Sequence, residues 1–163
     1  MAEDCVVLAD GRDRRARLVR CAGVSPAAVL IDPNLASSLP PKLAASCILA
    51  GLTAAIESYV STRSSFMSDL VLERSVATLA HALDVIIARP EDPQARSEAW
   101  QGAFLSALGQ SMSAPGIAIS LALAINARYP VPKASLTAIL LPYSMESAMA
   151  RRLEPAFVGE KLP

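Results

Sequence analysis

Prolines divide most of this sequence into long apolar segments, and this division constrains the fold more than any other feature. The segments are rich in Ala and Leu, which favour helix on intrinsic propensity. Proline also marks helix boundaries, because it is tolerated in a first turn and disrupts a helix interior. The sequence therefore predicts five helices: from Pro40-Pro41 to about Tyr59, 65–88, 92–113, 117–128 and about 133–152, the last with a kink or boundary at Pro142.

The N-terminal residues have a different pattern. The stretch 5–20 predicts a β-hairpin, because Asp10-Gly11 suits a type I′ turn between an apolar run and a charged run. Residues 27–33 predict a third short strand, which ends at Pro33. The β structure is thus expected to precede the helices rather than to alternate with them.

Length and composition bound the fold class and the partners. At 163 residues the chain is long enough for one compact domain with a core. We predict a mainly α fold, with a β-hairpin and strand in residues 1–32 and a helical bundle in residues 40–163. The longest apolar runs, such as 116–125, are shorter than the roughly 18 residues needed to span a membrane. Because 15 basic and 15 acidic residues cancel, charge indicates neither a nucleic-acid partner nor a membrane surface.

The cysteines and the N-terminus indicate the cellular compartment. Cys5, Cys21 and Cys47 are an odd number and have no C-x-x-C spacing, which argues against a disulfide framework and against a zinc site. The start "MAEDCVVLAD" lacks the basic and apolar regions of a signal peptide. We therefore expect a cytoplasmic protein.

Several motifs resemble those of one enzyme family. The stretches "VLIDPNLASSLP" and "AASCILAGLTAAIESYVS" resemble the iron-containing (group III) alcohol dehydrogenases, and so do "PEDPQARSEAWQGAFLSALG" and "ARYPVPKASLTAILLPYSMES". The resemblance extends from about Pro26 to Met149 and implies the helical C-terminal domain of that family. The sequence starts about where the family's nucleotide-binding domain ends, and it contains no strand, Gly-rich loop and helix unit.

The resemblance also identifies the positions that hold iron or zinc in the family. These are an Asp and a His four residues apart on one helix, a His on a later helix, and a His in the loop that follows. Here those positions carry Ala50, Ala54, Ile119 and Lys133, and Leu123 replaces a further active-site His. Alkyl side chains cannot bind a metal, and lysine presents a cation to it. We expect no metal, no cofactor and no NAD(P)-dependent alcohol oxidation, since that chemistry needs a Lewis acid.

The substituted positions predict a ligand pocket in a pseudoenzyme. Its expected lining is Ala50, Ala54, Ile119, Leu123, Lys133 and Thr137. Lys133 is the candidate catalytic residue, because a desolvated lysine has a lowered pKa and can act as a nucleophile or a base. The alternative is that Lys133 extends into solvent and has no chemical role.

Three functions remain open at the level of the sequence. The first is a non-redox descendant of the dehydrogenase domain that binds a small organic ligand and catalyses a cyclisation, isomerisation or elimination without a cofactor. The second is a structural or interaction protein with no catalysis. The third is one subunit of a split dehydrogenase, with a separate NAD(P)-binding chain, although the missing metal ligands argue against it. An open cavity would favour the first function, and a filled core would favour the second.

The apolar character of the chain predicts self-association. The mean hydropathy is +0.39, and large apolar patches are uncommon on the surfaces of monomers. We therefore expect a homodimer or a larger assembly, with an interface that includes helix 117–128 and the N-terminal hairpin.

Overall fold

Five helices account for most of the described chain. The computed structural model describes residues 5–10, 15–20, 27–36 and 38–152. The helices are α1 (Pro41–Tyr59), α2 (Phe66–Ala88), α3 (Pro93–Ser111), α4 (Ile117–Arg128) and α5 (Lys133–Arg152). The mainly α class and the five predicted helices are confirmed. Pro142 lies inside α5, so it is not a helix boundary.

Local hydrogen bonds explain where two of these helices begin. Ser65 caps α2 in a reciprocal capping box, in which its Oγ accepts the Ser68 N–H at 3.3 Å and its N–H donates to Ser68 Oγ at 2.7 Å. Asp92 caps α3, because its Oδ1 accepts the Ala95 N–H at 2.9 Å. Such caps satisfy amides that have no acceptor within the helix.

Two short strands precede the helices. Strand β1 (Cys5–Asp10) pairs antiparallel with β2 (Arg15–Arg20), with Cys5 opposite Arg20 and Asp10 opposite Arg15. Strand β2 also contacts α4. The predicted turn after Asp10 lies outside the described residues.

The predicted third strand at 27–33 is wrong. Residues 28–32 belong to no strand, and Pro33–Ala36 form a short 3-10 helix. Asp32 starts that turn, because its Oδ1 accepts both the backbone and the side-chain N–H of Asn34 at 2.9 Å. The apolar residues 28–31 precede this turn and pair with neither strand of the described sheet. Leu30 is 98% exposed. A high β propensity cannot form a strand without a pairing partner.

The core depends on a close approach of α2 and α3. Leu72 and Leu79 of α2 are fully buried, and they face Gly109 and Gly102 of α3 respectively. Ser75 lies between the two leucines and donates its hydroxyl to the Gly102 carbonyl at 2.8 Å. Glycine leaves room for the leucine side chains, so the two helices can pack closely. Among the described residues, no helix has the length and apolar character needed to cross a bilayer.

We predict that Gly102→Ala destabilises the protein by about 1–3 kcal/mol, as overpacking usually does. A Cβ at position 102 would lie 2.7 Å from Leu79 Cγ, and the Leu79 backbone nitrogen is close behind it. The matched control is Gly51→Ala, where the nearest atom is the Leu79 Cδ1 methyl at 3.3 Å, so we expect a smaller loss. Urea unfolding midpoints measure both variants. A Gly102→Ala protein as stable as the parent would contradict this account of the core.

Candidate functional site

The six residues predicted to line a pocket lie on three helices that contact one another. Helix α1 packs against α4 and α5, and α4 packs against α5. The residues form three pairs, each with its members four positions apart on one helix: Ala50 and Ala54 on α1, Ile119 and Leu123 on α4, and Lys133 and Thr137 on α5. We call these six residues the three-helix site. Residues four apart lie on the same helix face, so each pair forms one continuous surface.

The residues of the three-helix site differ in their exposure. Thr137 and Ile119 are buried, whereas Ala50, Ala54 and Leu123 are half-buried. Lys133 is exposed at the first residue of α5. The Thr137 hydroxyl donates to the Ala134 carbonyl of its own helix at 2.9 Å. The site is therefore mostly apolar, with its amine on the solvent side.

Glu57 connects α1 to the start of α4. It follows Ala54 by three positions on α1, and its side chain is only 4% exposed. Its Oε1 accepts the Ala118 N–H at 2.8 Å, and its Oε2 accepts the Ile119 N–H at 3.1 Å. First-turn amides have no acceptor within their own helix, and the N-cap of α4, Gly116, has no side chain to cap them. The carboxylate of Glu57 therefore caps α4 from a neighbouring helix, where negative charge is favourable.

The loop before α4 leaves room for the Glu57 carboxyl group and forms hydrogen bonds with the end of α1. A Cβ at Gly116 would overlap the Glu57 carboxyl group, so the close approach requires glycine at that position. The hydroxyl of Ser113 donates to the Ser58 carbonyl at 2.8 Å, and the Ser58 hydroxyl donates to the Ala114 carbonyl at 3.3 Å. The C-terminal end of α1 is thus bound to the loop and to the first turn of α4. These partners of Glu57 were not predicted from the sequence.

His81 lies away from the three-helix site. It is exposed on α2, and its Nδ1 is 2.8 Å from Glu98 Oε2 on α3. The hydrogen bond from Gln94 and then that of His81 hold the pKa of the Glu98 carboxyl below its usual value. This polar contact connects the surfaces of α2 and α3.

Two adjoining cavities lie on the outer face of α3. Their volumes are about 440 and 140 Å³, and they share Ile31, Trp100 and Phe104 in their walls. Neither is lined by a residue of the three-helix site. This groove was not predicted from the sequence, although the four-residue spacing of Trp100 and Phe104 places both aromatic rings on one helix face.

A match to a protein-family profile shows the family to which the chain belongs. The profile described as "Fe-containing alcohol dehydrogenase family, C-terminal" matches residues 44–157. The chain belongs to the iron-containing alcohol dehydrogenase family. Among curated members, it is 30% identical over 135 residues to maleylacetate reductase 2 of Cupriavidus pinatubonensis, a match that covers 83% of this chain and 37% of the relative. It is 29% identical to long-chain-alcohol dehydrogenase 1 of Geobacillus thermodenitrificans, over 71% of this chain and 29% of that one.

Solved structures in the same family have the same fold. A 1,3-propanediol oxidoreductase superposes with a TM-score of 0.86 at 21% identity, over 98% of this chain and 43% of that chain. An alcohol dehydrogenase of Oenococcus oeni superposes with a TM-score of 0.84 at 21% identity, over 89% and 38% of the two chains. At these identities the likeness concerns the fold alone. The chain spans less than half the length of these relatives.

The three-helix site does not fit the metal that the family name implies. The side chains of Ala50, Ala54 and Ile119 have no atom with a lone pair to donate, and Lys133 offers an ammonium group. Within the described ranges, no group of three or more His, Cys, Asp or Glu side chains could hold a metal ion. The donor set needed by iron or zinc is therefore missing from this part of the chain.

We predict that the variant A50D/A54H/I119H/K133H binds one Zn²⁺ per chain, whereas the parent protein binds no stoichiometric zinc or iron. The reason is that the three helices contact one another, so donors at these four positions should converge on one tetrahedral site. Elemental analysis after desalting measures the metal. The control is the variant with I119H omitted, which should bind zinc more weakly. Failure of the full variant to bind zinc while folded would show that the four positions do not converge.

Proposed function

We propose that this member of the iron-containing alcohol dehydrogenase family binds a small organic ligand at the three-helix site without a metal. The observation that supports the proposal is that Ala50, Ala54 and Ile119, at the positions that the family resemblance assigns to metal donors, carry alkyl groups on helices that contact one another. Ala50, Ala54 and Leu123 are half-buried, so part of this apolar surface is accessible. Apolar surfaces with a few polar groups are typical of small-molecule sites.

Lys133 is the residue that we propose for recognition or chemistry. Its ammonium group would attract an anionic group of a ligand whose hydrocarbon part contacts Ala54, Ile119 and Leu123. A lysine amine at the edge of an apolar site can also act as a nucleophile or a base. Such a group suits a cyclisation, isomerisation or elimination that needs no redox cofactor. We propose that the protein works in the cytoplasm.

The main alternative is a structural or interaction protein that forms a homodimer. Its support is the exposure of apolar side chains on α4, where Ile117 and Leu121 are 42% and 46% exposed. Burial of this face against a second copy would remove apolar surface from water. Dimerisation through α4 is compatible with a ligand at the three-helix site, so both proposals can hold together.

A second alternative is a split dehydrogenase, in which a separate chain supplies the NAD(P)-binding part. The supporting observation is that the chain covers only 37% of maleylacetate reductase 2. The alkyl side chains at the metal positions oppose this alternative, since a partner chain would not restore them.

We predict that Ala54→Leu keeps the fold, or stabilises it, while abolishing binding of a ligand at the three-helix site. Maleylacetate, taken from the name of the relative, is the probe, and calorimetric titration measures its binding. Lys133→Met should weaken binding without altering stability, because it removes only the charge at the edge of the site. The control is Ala124→Leu on the exposed side of α4, which should leave binding unchanged.

One result would contradict the proposal, and another would contradict only the choice of maleylacetate as the probe. If Ala54→Leu destabilises the protein by about 1–3 kcal/mol, the site is already filled and the structural alternative stands. If the parent protein does not bind maleylacetate but tolerates Ala54→Leu, this probe is the wrong ligand and the site remains open.

A further inference from the structure

We infer that Glu57 is a positioning residue, whose buried carboxylate sets the distance and the rotation of α4 relative to α1. Through this contact it determines where Ile119 lies relative to α1. The inference rests on the proposed function only in assigning a ligand to the three-helix site. The contact itself is independent of any ligand.

The geometry of the contact carries the inference. Each oxygen of one carboxylate accepts a different amide of α4, at 2.8 Å from Ala118 and 3.1 Å from Ile119. One hydrogen bond would fix a distance only. Two bonds from a planar group to consecutive amides also fix the angle of the helix about its axis.

The contact acts directly on the three-helix site. Ile119 is at once a member of the site and one of the two donors to Glu57. On α1, Ala54 lies three positions before Glu57, on the same helix face. A change at Glu57 therefore moves one wall of the site relative to the other, whereas a change in a distant hydrogen bond does not.

Burial makes the contact costly to remove. Glu57 is almost fully buried, and so are the atoms of both hydrogen bonds. Loss of the carboxylate would leave two buried N–H groups without an acceptor, unless α4 moves to find others. Gly116 provides no side chain to replace it. Movement of α4 is thus the expected response.

The test measures the distance between α1 and α4 directly. Spin labels are placed on Cys47 of α1 and on Ala124→Cys of α4, both exposed, in a background with Cys5→Ser and Cys21→Ser. Double electron–electron resonance then gives the distance distribution. Glu57→Gln places an amide group against one of the N–H donors. In this variant we expect the mean distance between the two spin labels to change by about 2 Å, the size of helix shifts between packed states.

Two further variants separate positioning from general stability. Gly116→Ala adds a methyl group against the Glu57 carboxyl, so it should displace α4 in the same way and serves as the test if Glu57→Gln does not fold. Ser75→Ala removes a buried hydrogen bond of 2.8 Å between α2 and α3, and it should lower stability without changing the distance.

The outcomes are decisive in both directions. Displacement in folded Glu57→Gln, with none in Ser75→Ala, supports the inference even if maleylacetate does not bind, and Gly116→Ala decides only if Glu57→Gln does not fold. An unchanged distribution in the deciding variant, or an equal displacement in Ser75→Ala, would overturn the inference and leave Glu57 with a merely structural role.

Discussion

The three-helix site depends on a buried carboxylate that holds two helices together. Glu57 takes the place of the missing N-cap side chain of α4, and Gly116 makes room for it. The start of α4, and with it Ile119, is therefore bound to α1 rather than to its own loop alone. A buried charge is tolerable here because the amides and the helix dipole compensate for the loss of water. This contact does not depend on a metal-binding side chain.

The fold and the chemistry of the family are separable in this chain. The packing of leucines on glycines between α2 and α3, and the Glu57 contact between α1 and α4, need no metal ligand. Alkyl side chains at Ala50 and Ala54 are therefore compatible with the contacts that build the domain. The chain accordingly superposes on a 1,3-propanediol oxidoreductase with a TM-score of 0.86 while Ala50, Ala54 and Ile119 carry alkyl side chains.

The sequence predicted the helices well because their ends are determined locally. Pro41, Pro93 and the cap at Asp92 act within one turn of the chain, so a sequence pattern contains them. The strand predicted at 27–33 failed because pairing depends on a distant partner, which local propensity does not reveal. The contact of Glu57 with Ala118 was not predicted either, because the two residues are 61 positions apart in the sequence. The positions of the three-helix site followed from the family resemblance, whereas their different exposures required the structure.

Anomalous X-ray diffraction from crystals of the unmodified protein grown with Zn²⁺ tests the central claim most directly. The account predicts that α1, α4 and α5 meet as described, with Glu57 bonded to the first turn of α4. It also predicts no anomalous peak at the three-helix site. An ordered zinc ion there, bound by side chains of this chain at about 2.0–2.3 Å, would contradict the account.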